Sequence, residues 1–224
     1  MTKIISIITA RSGSKRLPAK NIKKINGKEL IYYTINASLK SKRINETYVD
    51  TDSLSIKKIA ERHGAQVPFL RDKKFSHSKA DSIETIKFFL KKLYNTKKND
   101  ADYVVLLQPT SPLRTARHID KAVNMFLRSN DYTSLVSVIR CPTMFFERNQ
   151  LKKKGKKFNF DKKTKKKKSN DKFHTNGAIY IFKKKHLISK KPYGNNILPF
   201  FMQIADSVDI DYAEDFNLAK KLMS

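Results

Sequence analysis

A single cysteine, Cys141, stands in a chain of 224 residues. That excludes an internal disulfide and fits a reducing, cytoplasmic setting. No apolar run approaches the ~20 residues that a membrane-spanning helix needs, so no membrane partner is expected. The opening stretch MTKIISIITARSGSK is too short in its apolar part, and too soon broken, to read as a secretory signal. Glycine-based phosphate motifs are missing too. A Walker loop requires Gly, four residues, then Gly-Lys-Ser/Thr, but the Gly27–Lys28 pair is followed by Glu29 and lacks the upstream Gly. The dinucleotide fingerprint fails because the loop after the first apolar run holds one glycine, not three. A kinase of the Walker type and a dehydrogenase are thereby disfavoured. His63, His77, His118, His174 and His186 are scattered and make no metal-ligand spacing, and Cys141 has no catalytic partner near it in sequence.

Acids are scarce: 20 Asp and Glu against 48 Lys and Arg, for a formal net charge of +28. Such a balance usually suggests a polyanion partner. Its distribution tempers that reading. Residues 151–172, LKKKGKKFNFDKKTKKKKSNDK, hold twelve Lys and two Asp, and the rest of the excess is scattered. Lysine drift on solvated faces accounts for the remainder, and nucleic acid is not expected as a partner.

Hydrophobic periodicity organises what is there. KIISIITA (3–10), ETYVDT (46–51), ADYVVLLQ (101–108), TSLVSVI (133–139) and GAIYIF (177–182) read as strands, with AQVPFL (65–70) a weaker one. Helices are expected over 29–41, over 53–63 with Asp52 as cap and Gly64 as stop, over 82–94 capped by Asp81, over 116–129, and over 213–223. Strands alternating with helices predict a three-layer α/β domain on a mostly parallel sheet, one domain over 1–224. The segment 141–172 interrupts the rhythm and reads as a Lys-rich insertion.

In open α/β sheets ligands sit beyond the carboxyl ends of the strands. The first such loop, ITARSGSKRLPAKN (8–21), carries Arg11, Lys15, Arg16 and Lys20. Gly13, between Ser12 and Ser14, lets backbone amides approach an anion, and arginine adds bidentate phosphate geometry. A triphosphate suits that density of donors; a solvated basic loop is the plain alternative. Two Asp-x-Asp pairs follow, Asp50/Asp52 and Asp209/Asp211. In an extended segment residues i and i+2 share a face, so each pair can converge on a hard cation such as Mg²⁺. For Asp50/Asp52 helix capping serves as well; Asp209/Asp211 alternate with Val208 and Ile210, as on a strand with one functional face. In LLQPTSPLRT (106–115), Gln108, Thr110 and Ser111 suit a polyol and Arg114 an anion, or the stretch is a proline-stiffened turn with Thr115 capping the next helix.

Taken together, ITARSGSKRLPAKNIKKINGKELIYYTI, VDTDSLSIKKIAERHGAQVPFLR, DSIETI, VVLLQPTSPLRT, NGAIYIF and DSVDIDYAEDFNLA resemble the acylneuraminate cytidylyltransferase family, the enzymes that make CMP-sialic acid and related CMP-nonulosonates. The resemblance runs in order over most of the chain. It implies a Rossmann-like nucleotidyltransferase domain with a small dimerisation element, here 141–172, and a homodimer. It implies CTP and a nonulosonic acid as substrates and Mg²⁺ as cofactor. By residue, it implies that Ala10, Arg11, Gly13, Ser14, Lys20, Asn21, Arg71 and Ser82 bind the nucleotide. Gln108, Thr110, Ser111 and Tyr180 would line the sugar pocket, Asp209 and Asp211 would hold the metal, and Arg11, Lys20 and Asp211 would carry catalysis. One departure stands out: where the family carries an Arg-Gln-x-Leu-Pro-like signature before the Asn-Gly, this chain has KKKKSNDKFHTNG, with Lys172 or His174 nearest the missing arginine.

Two other functions are weighed on the residues: a 3-deoxy-manno-octulosonate cytidylyltransferase or other sugar nucleotidyltransferase, and a glycosyltransferase suggested by Asp50-x-Asp52. A polyanion-binding protein is the alternative of another class.

Overall fold

The computed structural model of the chain describes residues 2–77, 80–97, 100–140 and 173–224. Six strands form one sheet: β1 (Ile4–Thr9), β4 (Glu46–Asp50), β5 (Tyr103–Leu107), β6 (Ser134–Arg140), β7 (Phe173–Lys183) and β8 (Ile197–Phe201). Their order is β4-β1-β5-β7-β6-β8. All pairs are parallel except those of β7, which runs against both β5 and β6. A two-stranded hairpin, β2 (Lys24–Ile25) with β3 (Lys28–Glu29), stands apart.

The alternation in β1 explains the layering. Ile4 and Ile8 face a cluster with Ile31 and Ile35 of α1 (Leu30–Leu39) and Ile119 and Val123 of α4 (Ala116–Leu127). The same cluster takes Ile56 and Ala60 of α2 (Leu54–Arg62). Ile5 and Ile7 face the opposite cluster, with Ile86, Phe89 and Leu93 of α3 (Ser82–Lys97). Strands apolar on both faces must be covered on both, which gives three layers. A one-turn helix, α5 (Lys184–Leu187), a C-terminal helix, α6 (Ala213–Leu222), and two short 3-10 turns, Lys20–Ile22 and Lys73–Phe75, complete the described elements.

Several expectations meet their structure here. Asp81 caps α3, its carboxylate accepting the Ile83 and Glu84 amides at 2.6 and 3.1 Å. Thr115 caps α4 in a reciprocal box with His118. Asp52 does not cap α2; that role falls to Ser53, whose hydroxyl accepts the Ile56 amide. The stretch 65–70 forms no strand, only a single parallel bridge between Gln66 and Tyr48, because Pro68 cannot donate to a ladder. Strand β8 was not foreseen: Pro199 sits in its middle, a place that only an edge strand tolerates. The expected insertion, 141–172, lies outside the described residues.

Candidate active site

The sheet turns about β1. The chain passes from β1 to β4 on one side and to β5 on the other, so the loops after these strands diverge and leave a crevice at their carboxyl ends. A cleft of about 400 Å³ opens there. Thr9, Arg11, Ser14, Arg16 and Lys20 line it from the first loop, Gln108 and Thr110 from the loop after β5, and Asp209 and Asp211 from the segment before α6.

What draws the two chain ends together is apolar. Leu17 of the basic loop, Ile25, Leu30, Ile210 and Phe216 make a separate buried cluster. Burying Leu17 and Ile210 contributes roughly 1.5–3 kcal/mol each. With Ile210 inside, its neighbours Asp209 and Asp211 turn to the cleft, as the Val208–Asp211 alternation implies. The segment is not a ladder strand; the Ile210 amide instead donates to the Thr110 carbonyl at 2.8 Å. At the contact between the ends, the Arg16 guanidinium lies 2.5 Å from an Asp211 oxygen. The Lys20 ammonium donates to the other Asp211 oxygen at 3.1 Å and to the Ile210 carbonyl at 2.6 Å. Asp215 fixes the backbone there, accepting the Asp211 and Tyr212 amides at 2.9 and 2.8 Å. Protein bulk around Asp209 pushes its pKa up against a hydrogen bond from Thr110, although its carboxylate stays open to the cleft.

The basic loop is shaped by residues other than its glycine. Gly13 has no positive φ and nothing within 4 Å of a Cβ built on it, so the protein itself sets no demand for glycine there. The left-handed turn falls at Ala19, φ 54°. Buried Asn21 donates to the Arg11 carbonyl at 2.9 Å and closes the loop on itself. Ala10 is fully buried, its amide donating to the Asp50 carbonyl.

A second hollow of about 200 Å³ adjoins the first, sharing Thr9 and Arg11 and adding Arg71, Phe75, His77, Ser82 and Thr85. Arg71 and Ser82 are 11 residues apart in sequence and meet here, one from the loop after α2, the other from the first turn of α3. Phe75 and His77 line it without having signalled themselves in sequence.

Five residues stand differently from expectation. Arg114 is no surface anion-holder: it is 1% exposed and its Nη1 donates to the Gln108 and Ala178 carbonyls at 3.1 and 3.0 Å. Burial lowers its pKa to about 9, and its Nε and Nη2 have no hydrogen-bond partner among the described residues. Ser111 is fully enclosed and its hydroxyl is likewise unpartnered, so it sits within the cleft wall and not on its surface. Tyr180 is held on the α3 side of the sheet, beside Tyr193, and burial raises its pKa to about 12. Asp50 and Asp52 do not share a cation: Asp50 is buried against Arg71 and Asp52 accepts from Ser12. The same-face rule fails because the strand ends at Asp50.

Gly177 is a site residue that only its Asn-Gly setting signals. It has φ 72°, and a Cβ there would lie 2.8 Å from Gln108 Oε1 and 3.4 Å from Asp209 Oδ2. Among the described residues no group of three or more His, Cys, Asp or Glu gathers as a metal site, and no helix is long and apolar enough to cross a membrane.

Comparison with known proteins agrees with this architecture. Residues 5–223 match the family model described as Cytidylyltransferase. The chain is 38% identical over 221 residues to an N-acylneuraminate cytidylyltransferase of Escherichia coli O18:K1:H7, covering 97% of this chain but 51% of that protein. It therefore spans about half the length of that relative. It is 35% identical over 230 residues to the CMP-N,N'-diacetyllegionaminic acid synthase of Legionella pneumophila, covering 99% of this chain and 96% of the relative. With the pseudaminic acid cytidylyltransferase of Campylobacter jejuni it shares 30% over 232 residues, 98% of this chain and 96% of the relative. In fold it is similar to a solved CMP:2-keto-3-deoxy-manno-octonic acid synthetase complexed with CTP, at TM-score 0.74, 16% identity and coverage of 99% and 98%. By its residues, its sheet and these likenesses, the chain belongs to the cytidylyltransferase family.

Proposed function

We propose that the protein transfers CMP from CTP to the anomeric hydroxyl of a nonulosonic, sialic-acid-like sugar acid and releases pyrophosphate. The observation that carries the reading is the meeting of Arg16 and Lys20 with Asp211 across one cleft, from opposite ends of the chain. A cleft with cations on one wall and carboxylates on the other suits a triphosphate and a divalent ion. Two relatives of which the chain covers 96% are named for legionaminic and pseudaminic acid, both nonulosonates.

Asp209 and Asp211 fit Mg²⁺ in kind. This ion takes hard oxygen donors and is held by one or two carboxylates plus substrate phosphates, not by an all-protein cage. Asp211 already attracts two cationic side chains, and Gly177 leaves room beside Asp209 that a Cβ would take. Bound there, the ion would neutralise phosphate charge and acidify the attacking hydroxyl.

The chain's own groups do the remaining work by position and charge, which dominate phosphoryl transfer. Arg11, Lys20, Ser14 and Asn21 serve the phosphates, and Arg11 and Lys20 stabilise the departing pyrophosphate. Gly13 gives the loop a site of close approach for the ligand. Arg71 and Ser82 serve the base and ribose in the second hollow; Ala10, fully buried, would take part only through its backbone. Gln108 and Thr110 serve the sugar hydroxyls, with Tyr180 and Ser111 behind them. A homodimer built through 141–172 and a cytoplasmic setting complete the reading.

The test is pyrophosphate release from CTP, Mg²⁺ and a panel of keto sugar acids. Turnover is expected with nine-carbon acids. Turnover with the eight-carbon octulosonate and none of the nine-carbon acids would overturn the choice of acceptor.

A further inference from the structure

The Asp-x-Asp at the tip of β4 is absorbed by no step of the proposed reaction, yet both acids are committed. Asp50 is 1% exposed and accepts the Arg71 Nε at 2.9 Å. Its own carbonyl accepts the Arg71 Nη2 at 2.8 Å, and the Arg71 amide donates to the Thr51 carbonyl at 2.7 Å. Arg71 is thus fixed at three points along the wall of the second hollow. Asp52 points the other way. Its Oδ1 accepts the Ser12 amide at 2.7 Å and its Oδ2 the Ser12 hydroxyl at 2.9 Å, across 40 residues of sequence. Ser12 is followed by a tight turn in which the Ser14 amide donates to the Ser12 carbonyl at 2.9 Å. Holding Ser12 therefore sets both of its cleft-lining neighbours, Arg11 and Ser14.

Burial of Asp50 is unfavourable for its carboxylate and pushes its pKa up to about 6, even against the adjacent guanidinium. An acid kept inside the fold with one cationic partner serves that partner's orientation. The two carboxylates engage partners in different loops and do not converge on one point, so the pair is not a cation site.

We propose that Asp50 and Asp52 are positioning residues that together set the spacing of the two halves of the nucleotide site, Asp50 through Arg71 at the base end and Asp52 through Ser12 at the phosphate end. This rests on the CTP reading above. Asp50 ends β4 and Asp52 follows two residues later, so both anchors are fixed from one short stretch at the sheet's rim. Neither acid touches substrate.

The experiment is equilibrium binding of CTP, UTP and cytidine to the full chain, wild type and variants, by competition with a fluorescent nucleotide. Asp52→Ala is expected to weaken CTP about tenfold and leave cytidine unchanged, since two charge-assisted hydrogen bonds act only on the phosphate loop. Asp52→Asn, which keeps an oxygen for the Ser12 amide, falls between. Asp50→Asn is expected to weaken cytidine and CTP alike and to narrow the preference for CTP over UTP. Equal weakening of cytidine and CTP by Asp52→Ala, or no change in either, overturns the proposal. If Asp50→Asn does not fold, the Asp52 series decides alone. A wild-type chain that binds none of the three ligands refutes the nucleotide reading itself, a different failure from variants that bind as wild type.

Discussion

Replacing Lys20 by alanine isolates the contribution of one buried ammonium. Its side chain is 12% exposed and held by the Ile210 carbonyl and Asp211. Two effects separate in size. In the resting protein, a net loss of about 1–2 kcal/mol is expected from these charge-assisted bonds, which lowers Tm by about 2–8 °C in a domain of this length. In the reaction, a unit charge about 4 Å from a phosphate oxygen is worth up to ~4 kcal/mol at an effective dielectric near 20. Loss of one pre-aimed donor to developing negative charge typically costs ~10²–10³ in kcat. A fall of about 10² in kcat/KM is therefore expected, much larger than the stability change would produce at 25 °C. The assay is continuous pyrophosphate release at varied CTP, with thermal unfolding of the same sample. Lys20→Arg keeps the charge but replaces the compact ammonium, which meets the Ile210 carbonyl and Asp211 together, by a planar guanidinium, and is expected to recover part of the rate. A Lys20→Ala protein that is folded and within threefold of wild-type kcat/KM would refute the placement of Lys20 at the phosphates.

Asp211→Ala is expected to lose about a hundredfold or more in turnover and to need far more Mg²⁺, with Tm lowered by only a few degrees because Arg16 is exposed and Lys20 keeps the Ile210 carbonyl; Mg²⁺ titration of rate checks it. Gly177→Ala is expected to displace Gln108 and to strain the backbone by about 1–2 kcal/mol, raising KM for the sugar acid more than KM for CTP. Glu29, bonded to His63 at 3.0 Å and Arg62 at 2.6 Å, has its pKa lowered to about 2, first through the His63 bond. A depressed carboxylate stabilises the fold above its unfolded pKa near 4.5 and loses that support as pH falls toward 2. After screening at the exposed Arg62, Glu29→Gln should remove about 2 kcal/mol at neutral pH and flatten the fall in denaturant stability between those pH values.

Much of this was legible in residues. The β-branched run of β1 and the clustered cations after it act through local chemistry and are seen in the structure; Asp209 and Asp211 flank buried Ile210 as their alternation suggests, but on no ladder strand. What stayed hidden depends on partners far away in sequence. Arg114 is charged and lies in a loop, which reads as surface; only the fold shows that it bridges Gln108 to Ala178 from inside. Asp52 looks like a cap because capping needs only its neighbours, whereas its partner Ser12 is 40 residues upstream. The reversed direction of β7 is equally silent, since a buried strand has the same composition either way.

That reversal has a consequence where β7 passes the open end of the sheet. β7 pairs with β6 over Phe173–Thr175 and again from Tyr180, but its register shifts between the two stretches, and Asn176 and Gly177 lie in that irregular part, with Gly177 at φ 72° beside Gln108 and Asp209. A residue added inside a regular ladder sends every later side chain to the other face, whereas a bulge takes up extra chain and re-aims the side chains beside it. Changes of length in β7 are thus absorbed at Asn176 and Gly177, next to the cleft, and resisted in the paired stretches on either side.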